Sequence, residues 1–242
     1  MRILKTRSAL MMLAILCAAP VFAQIEEINL ARVGKRVEQY VAGKLITEIY
    51  KRNNIVAQIE GFPSIRASRK SSDSEVDGEV GRIEEYAETN SHLKMVTPAY
   101  YSVAVAAYSL RPIVLHTMDD LKQYRLGVVR GIKSTEKLAR GASSIEYAND
   151  SDSLFSMLRA GRFDIAIDTK LNATNVLNRA SEKNVLLLKE LARSPLYHYL
   201  NVKRASLAQP LSKTISDMIK SGELDALTRK FEQEAMQMKF ER

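Results

Sequence analysis

Three short stretches put polar side chains where an apolar run gives way to a turn. In Val76–Arg82 (VDGEVGR) a strand-like run ends on Gly81 and Arg82. A guanidinium there offers a planar fork of donors suited to a carboxylate or phosphate, although a loop arginine facing solvent reads equally well. In Arg125–Leu138 (RLGVVRGIKSTEKL) a strand closes on Arg130, and Gly131 permits a tight turn. Ser134 opens the next helix with Lys133 beside it. Free backbone N–H groups at such a start favour an anion, or the stretch is an ordinary strand-to-helix join. In Leu158–Asp168 (LRAGRFDIAID) the run Phe163–Ile167 stops on Asp168, followed by Thr169. That carboxylate can receive an ammonium group, or it caps the helix in DTKLNATNV, with Thr169 and Asn172 as competing caps. Asp164 at the other end is expected to tie down the Gly161-Arg162 turn.

Tyr100 and Tyr101 are candidates for an aromatic wall, with core packing as the competing role. His92, His116 and His198 are dispersed, and no HExxH, GxSxG or P-loop pattern occurs. The single cysteine, Cys17, lies near the N-terminus. These residues support neither a metal centre nor covalent catalysis, and no cofactor is expected.

The elements that would carry these residues alternate. The stripe Val37, Tyr40, Val41, Leu45, Ile49 has helical spacing over Val37–Arg52. A strand follows at Ile55–Ile59, then a short helix at Ile65–Lys70, a strand near Val76–Val80, a helical piece at Ile83–Glu88 and a strand at Leu93–Val96. Tyr101–Tyr108 (YSVAVAAY) reads as a central strand. A β-α-β-α-β-α-β run then occupies Arg125–Leu188, flanked by a second extended stretch at Leu196–Val202. Two helices close the chain, at Leu211–Ser221 and Glu223–Glu234. Alternation of this kind predicts an α/β fold with mainly parallel sheets, whose ligands bind beyond the carboxyl ends of the strands. The two flanking extended stretches suggest a second lobe inserted into the first.

Residues 1–23 read as a cleaved signal peptide. Arg2, Lys5 and Arg7 precede the apolar run Ala9–Ala19, and Val21-Phe22-Ala23 supplies small residues before Gln24. Leu16 ahead of Cys17 argues against a lipoprotein. The formal charge is +8, from 36 basic and 28 acidic residues; without the leader's three cations it is +5. Both signs are interleaved, as in KSGELDALTRKFEQEAMQ, which fits a solvated surface better than a nucleic-acid patch. An exported, periplasmic monomer that meets small anionic or zwitterionic molecules is expected.

VDGEVGRIEEY, the Gly-Val-Val-Arg-Gly turn, FSMLRAGRFDIAID and IKSGELDALTRKF resemble the polar-amino-acid-type periplasmic solute-binding proteins of ABC importers, family 3. The resemblance runs from about Leu45 to Phe231 and is closest to shortened members, through LITEIYKRNNI, GFPSIRAS and DGEVGRI. It implies a two-lobed α/β periplasmic-binding-protein fold (type II-like), with residues 24–107 and 204–242 forming lobe one and 108–203 inserted as lobe two. It also implies a cleft that hinge motion closes on a small-molecule ligand, for a membrane permease or sensor. Gly81, Arg82, Lys133, Ser134 and Asp168 match positions that face the ligand. The family's carboxylate-clamping arginine, a dozen residues beyond the DG aspartate, is replaced by Glu88-Thr89-Asn90, leaving Arg82 as its candidate substitute. The family's ammonium-binding acid falls at Thr169, one residue past Asp168. The usual first strand is not legible in QIEEINLARVGKR, so lobe one is expected to lack a cleft wall. Two further readings share the scaffold: an interaction module that binds another protein, and a dehydratase-like enzyme using Glu79 or Asp168 as general acid.

Overall fold

The computed structural model describes residues 26–237, so the leader assigned to residues 1–23 lies outside the described part. Glu26–Val33 forms strand β1, Val37–Lys51 helix α1, Ile55–Phe62 β2, Ser64–Ser72 α2 and Gly78–Arg82 β3. A 3-10 turn at Glu84–Thr89 leads into the long strand β4, Leu93–Ser109. Then come β5 (Arg125–Val129), α3 (Lys133–Ala139), β6 (Ser144–Ala148), α4 (Ser151–Arg159), β7 (Ile165–Thr169) and α5 (Lys170–Arg179). A second long strand, β8 (Leu186–Asn201), is followed by α6 (Ala208–Lys220) and α7 (Glu223–Gln237).

The strands form one curled sheet in the order β2-β1-β3-β8-β4-β7-β5-β6. β1, β2 and β3 are mutually parallel at one end, and β5, β6 and β7 at the other. The antiparallel pair β4 and β8 crosses between them, matched from Leu93↔Asn201 to Ser109↔Leu186. This is the two-lobed periplasmic-binding-protein architecture. Each parallel set aims its carboxyl ends at the space between the lobes.

Burial explains why each element forms. On α1 the predicted stripe Val37, Val41, Leu45 and Ile49 is wholly buried, with Ala42 and Ile46 beside it. It packs on Ile28, Leu30, Val80 and the C-terminal helices to make the lobe-one core. Each such aliphatic side chain contributes about 1.5–3 kcal/mol when buried. The lobe-two sheet is covered on both faces, by Leu154, Phe155 and Leu158 of α4 on one and by Leu121 and Ala139 on the other. That double cover is why β5 and β7 carry the apolar runs Leu126–Val129 and Ile165–Ile167.

Lobe one does not lack a cleft wall. β1 runs through EEINLARV, central between β2 and β3, and buries Ile28, Leu30, Ala31 and Val33. The two glutamates at its start and Arg32 near its end hide that pattern in the sequence. The extended stretches expected at Leu93–Val96 and Tyr101–Tyr108 are parts of β4, and those at Val185–Leu188 and Leu196–Val202 parts of β8. Among the described residues no helix is long and apolar enough to cross a membrane.

Candidate functional site

The carboxyl ends of β1, β3, β5 and β7 meet around a cavity of about 50 Å³ between the lobes. Lobe one lines it with Val33, Arg36, Glu38, Gln39, Gly81 and Arg82; lobe two lines it with Gly131, Lys133, Ser134 and Thr169. Of the residues singled out from the sequence, Gly81, Arg82, Lys133, Ser134 and Thr169 therefore come together. Gln39 joins the lobe-one strands here, its Nε2 donating to the Gly81 carbonyl (3.0 Å) and its Oε1 accepting from Val33 N–H (3.3 Å).

Asp168 is fully buried, and its neighbours answer why an acid ends that apolar run. β7 continues through Thr169, two residues past the expected end, so Asp168 is its last residue but one. Thr169 faces the cavity, while Asp168 turns toward the first residues of α4 and α5. It accepts from Ser151 Oγ (2.5 Å), Thr169 N–H (2.8 Å) and Asn172 Nδ2 (3.3 Å). The fourth donor comes from lobe one: Arg36 Nη2 lies 2.8 Å from Asp168 Oδ1 and 3.0 Å from Thr169 Oγ1.

Arg36 sits between β1 and α1 and is itself 4% exposed. Its Nε donates to Glu38, its Nη1 reaches Ser151 Oγ at 3.4 Å, and Val37 N–H donates to Asn172 Oδ1 at 3.2 Å. Burial alone would lower the arginine's pKa; Asp168 and Glu38 outweigh it and hold the group above its ordinary value. The lobes are thus bolted together by a buried ion pair of the protein's own.

Arg82 is also engaged. Its Nε donates to Glu79, its Nη1 to Ser64 Oγ (3.1 Å), and its guanidinium lies 4.9 Å from the centre of the Tyr86 ring. Ser71 and Tyr86 donate to the same Glu79 carboxylate, at 2.7 and 2.5 Å. Burial, with Glu79 adding to it, pushes the Tyr86 phenol up to about 12. Ser64 Oγ in turn donates across the cleft to the Gly131 carbonyl (2.9 Å). Gly131 has φ +81°, and a Cβ there would crowd Ser64 at 3.1 Å, so only glycine suits that turn.

Just before α3, one of the groups expected to meet an anion has a partner within the chain. Glu136 folds back to accept from Gly131 N–H (2.6 Å) and from Lys133 Nζ (3.0 Å). Two other expected contacts do not reach the cavity. Tyr100 is buried behind Gly81, donating to the Val80 carbonyl (2.7 Å). Arg130 is exposed, stacks on Tyr147 at 4.9 Å, and borders a second interlobe groove, of about 500 Å³, which shares Val33, Arg36 and Ile132 with the cavity. Asp164 stays at the opposite end of the sheet, held below the usual carboxylate range by Arg125, which also donates to the Gly161 and Arg162 carbonyls.

Sequence reasoning missed Arg36, Glu38 and Gln39. The available signal was Arg36-Val37-Glu38 where a strand gives way to an amphipathic helix, obscured because the strand itself was not read.

No protein-family model matches the sequence. An uncharacterized protein of Shewanella oneidensis is 26% identical over 185 residues, 73% of this chain and 68% of that one. Among solved structures, the GluR0 ligand-binding core in complex with L-glutamate superposes with a TM-score of 0.71 at 12% identity, covering 85% of this chain and 97% of the other. A histidine kinase sensor domain with similarity to periplasmic binding proteins gives 0.71 at 15% identity, covering 85% and 95%. A substrate-binding protein of an amino acid ABC transporter from Streptococcus pneumoniae, bound to L-arginine, gives 0.68 at 14% identity, covering 88% and 97%. These likenesses show that the chain has the fold of family 3-type solute-binding proteins, in line with the resemblance of its motifs.

Proposed function

We propose that this chain is a non-catalytic solute-binding protein that captures a small, zwitterionic or anionic, amino-acid-like molecule between its two lobes. The observation that carries the reading is the convergence of Arg36, Glu38, Arg82, Ser134 and Thr169 on one cavity at the strand ends of both lobes. The shared fold supports it, since binding proteins seen with L-glutamate or L-arginine have the same architecture. Lobe one comprises residues 24–107 and 204–242, lobe two residues 108–203. The leader at 1–23 directs export to the periplasm, where the monomer hands its ligand to an ABC permease or reports it to a membrane sensor. The cavity of about 50 Å³ adjoins an interlobe groove of about 500 Å³; the ligand enters with the lobes apart and closure traps it between them.

The test is a thermal-shift screen of the purified protein against amino acids, opines, dicarboxylates and small amines. A ligand at a hundred times its dissociation constant adds about 2.7 kcal/mol to folding, readily seen as a rise in melting temperature. No rise across the panel refutes the reading.

One observation favours a second reading. Arg36 with Asp168, Arg82 with Glu79 and Glu136 with Gly131 satisfy one another without a ligand. A lobe pair closed on its own contacts suits a protein-interaction module, and an empty screen would favour it. The dehydratase-like alternative has less support, because Glu79 and Asp168 are both paired with arginines.

A further inference from the structure

Glu38, Arg36 and Asp168 form a buried chain of charges, each at most 4% exposed. Arg36 is the single cation between two carboxylates, bonded through Nε to Glu38 and through Nη2 to Asp168. The group therefore carries one negative charge that nothing within it balances. The other cations lining the cavity are already engaged, Arg82 by Glu79 and Lys133 by Glu136. Asp168 is saturated with donors, but Glu38 is not. Its second oxygen, Oε2, is buried and has no hydrogen-bond partner among the described residues, and Glu38 lines the interlobe cavity. A buried carboxylate oxygen without a donor is costly and rare in native structures.

We propose that Glu38 Oε2 is the seat of the ligand's ammonium group, so that the molecule held in this cleft is a small primary amine or amino acid and not a plain anion. The inference rests on the solute-binding reading and narrows it. Asp168 is neutralised by Arg36, and the carboxylate oxygen left without a donor belongs to Glu38 of lobe one. A cavity of about 50 Å³ has room for roughly one or two water-sized groups, which fits an ammonium head with the rest of the molecule displacing solvent as the lobes part and reclose. An ammonium brings several N–H donors: one for Oε2, the others for Thr169 Oγ1 or water.

The experiment compares melting of the purified full chain in methylammonium chloride, glycine, sodium glycolate and sodium chloride at equal ionic strength, for the native protein and Glu38→Gln. Methylammonium and glycine are expected to raise the melting temperature of the native protein, whereas glycolate and sodium are not. Loss of one charge-assisted hydrogen bond should weaken both amines by roughly tenfold to a hundredfold in Glu38→Gln. Without ligand, that variant should melt at or above the native protein, because the isosteric amide removes the unbalanced charge. Should Glu38→Gln not fold, Glu38→Asp, which keeps the charge but withdraws it, should weaken the amines in the same order. Stabilisation by glycolate alone, undiminished in Glu38→Gln, overturns this inference and leaves the solute-binding reading standing. Equal stabilisation by sodium overturns it in favour of an inorganic cation site. No stabilisation here or in the wider screen overturns both.

Discussion

Replacing Arg36 with methionine tests the bolt between the lobes. The substitution keeps the apolar stem but removes the guanidinium, leaving Glu38 (4% exposed) and Asp168 (0% exposed) without their shared cation. Asp168 retains Ser151, Asn172 and the Thr169 amide; Glu38 loses the partner of its Oε1 and is left with neither oxygen paired. Removing one partner of a buried pair typically costs about 3–5 kcal/mol, against about 0–1 for an exposed pair. For a chain of this size each kcal/mol lowers the melting temperature by about 2–4 °C, so a drop of roughly 6–20 °C is expected. Urea denaturation of Arg36→Met, Asp168→Asn and the double variant gives the coupling directly, and it should exceed about 1 kcal/mol, since the two residues are in contact. The loss should persist at high salt, because a dry pair is little screened. A loss under about 1 kcal/mol, or simple additivity, would refute the claim that this pair holds the lobes.

Three further outcomes follow from other contacts. His198 is fully buried, donating from Nδ1 to the Glu79 carbonyl and accepting at Nε2 from Tyr50, and burial lowers its pKa to about 4. The unfolded chain protonates this ring near pH 6.5, so stability should fall between about pH 6.5 and about 4, by at most roughly 3 kcal/mol, and level off below; a flat urea midpoint over that window, or the same slope in His198→Gln, contradicts this. Gly78→Ala would set a Cβ 2.3 Å from the Tyr199 carbonyl oxygen, where neither backbone can yield without parting β3 from β8; a loss on the order of 3 kcal/mol by urea titration is expected, and a neutral result would mean the strands are spaced otherwise. Asp164→Asn should leave any ligand-induced melting shift unchanged, since that carboxylate serves the Arg125 turn at the far end of the sheet; a reduced shift would relocate the site.

The helix Val37–Lys51 was legible to within a residue because five apolar side chains recur at its period, four of them buried and Tyr40 half-buried against the same core. The long strands read as separate pieces because Pro98 and Pro195 interrupt them, and only tertiary pairing shows that β4 resumes against β8 after a shift between Val96 and Tyr101. For the site, each polar strand end could be read locally, but its partner could not. Arg36 and Asp168 stand 132 residues apart, and no local spacing joins them. Glu79 and Glu136, by contrast, lie three residues before Arg82 and three after Lys133, close enough to have been foreseen as their companions.

The crossing of β4 and β8 also has a kinetic side. Ser109 and Leu186 are paired neighbours, yet roughly 75 residues of chain separate them, and closing so long a flexible loop costs about 4 kcal/mol of entropy. Once lobe two has condensed, its own walls hold those two residues together and most of that cost is gone. Lobe two should therefore fold first, and the remaining rungs of the crossing pair should then form outward from it toward Leu93 and Asn201, drawing lobe one together as the last cooperative step.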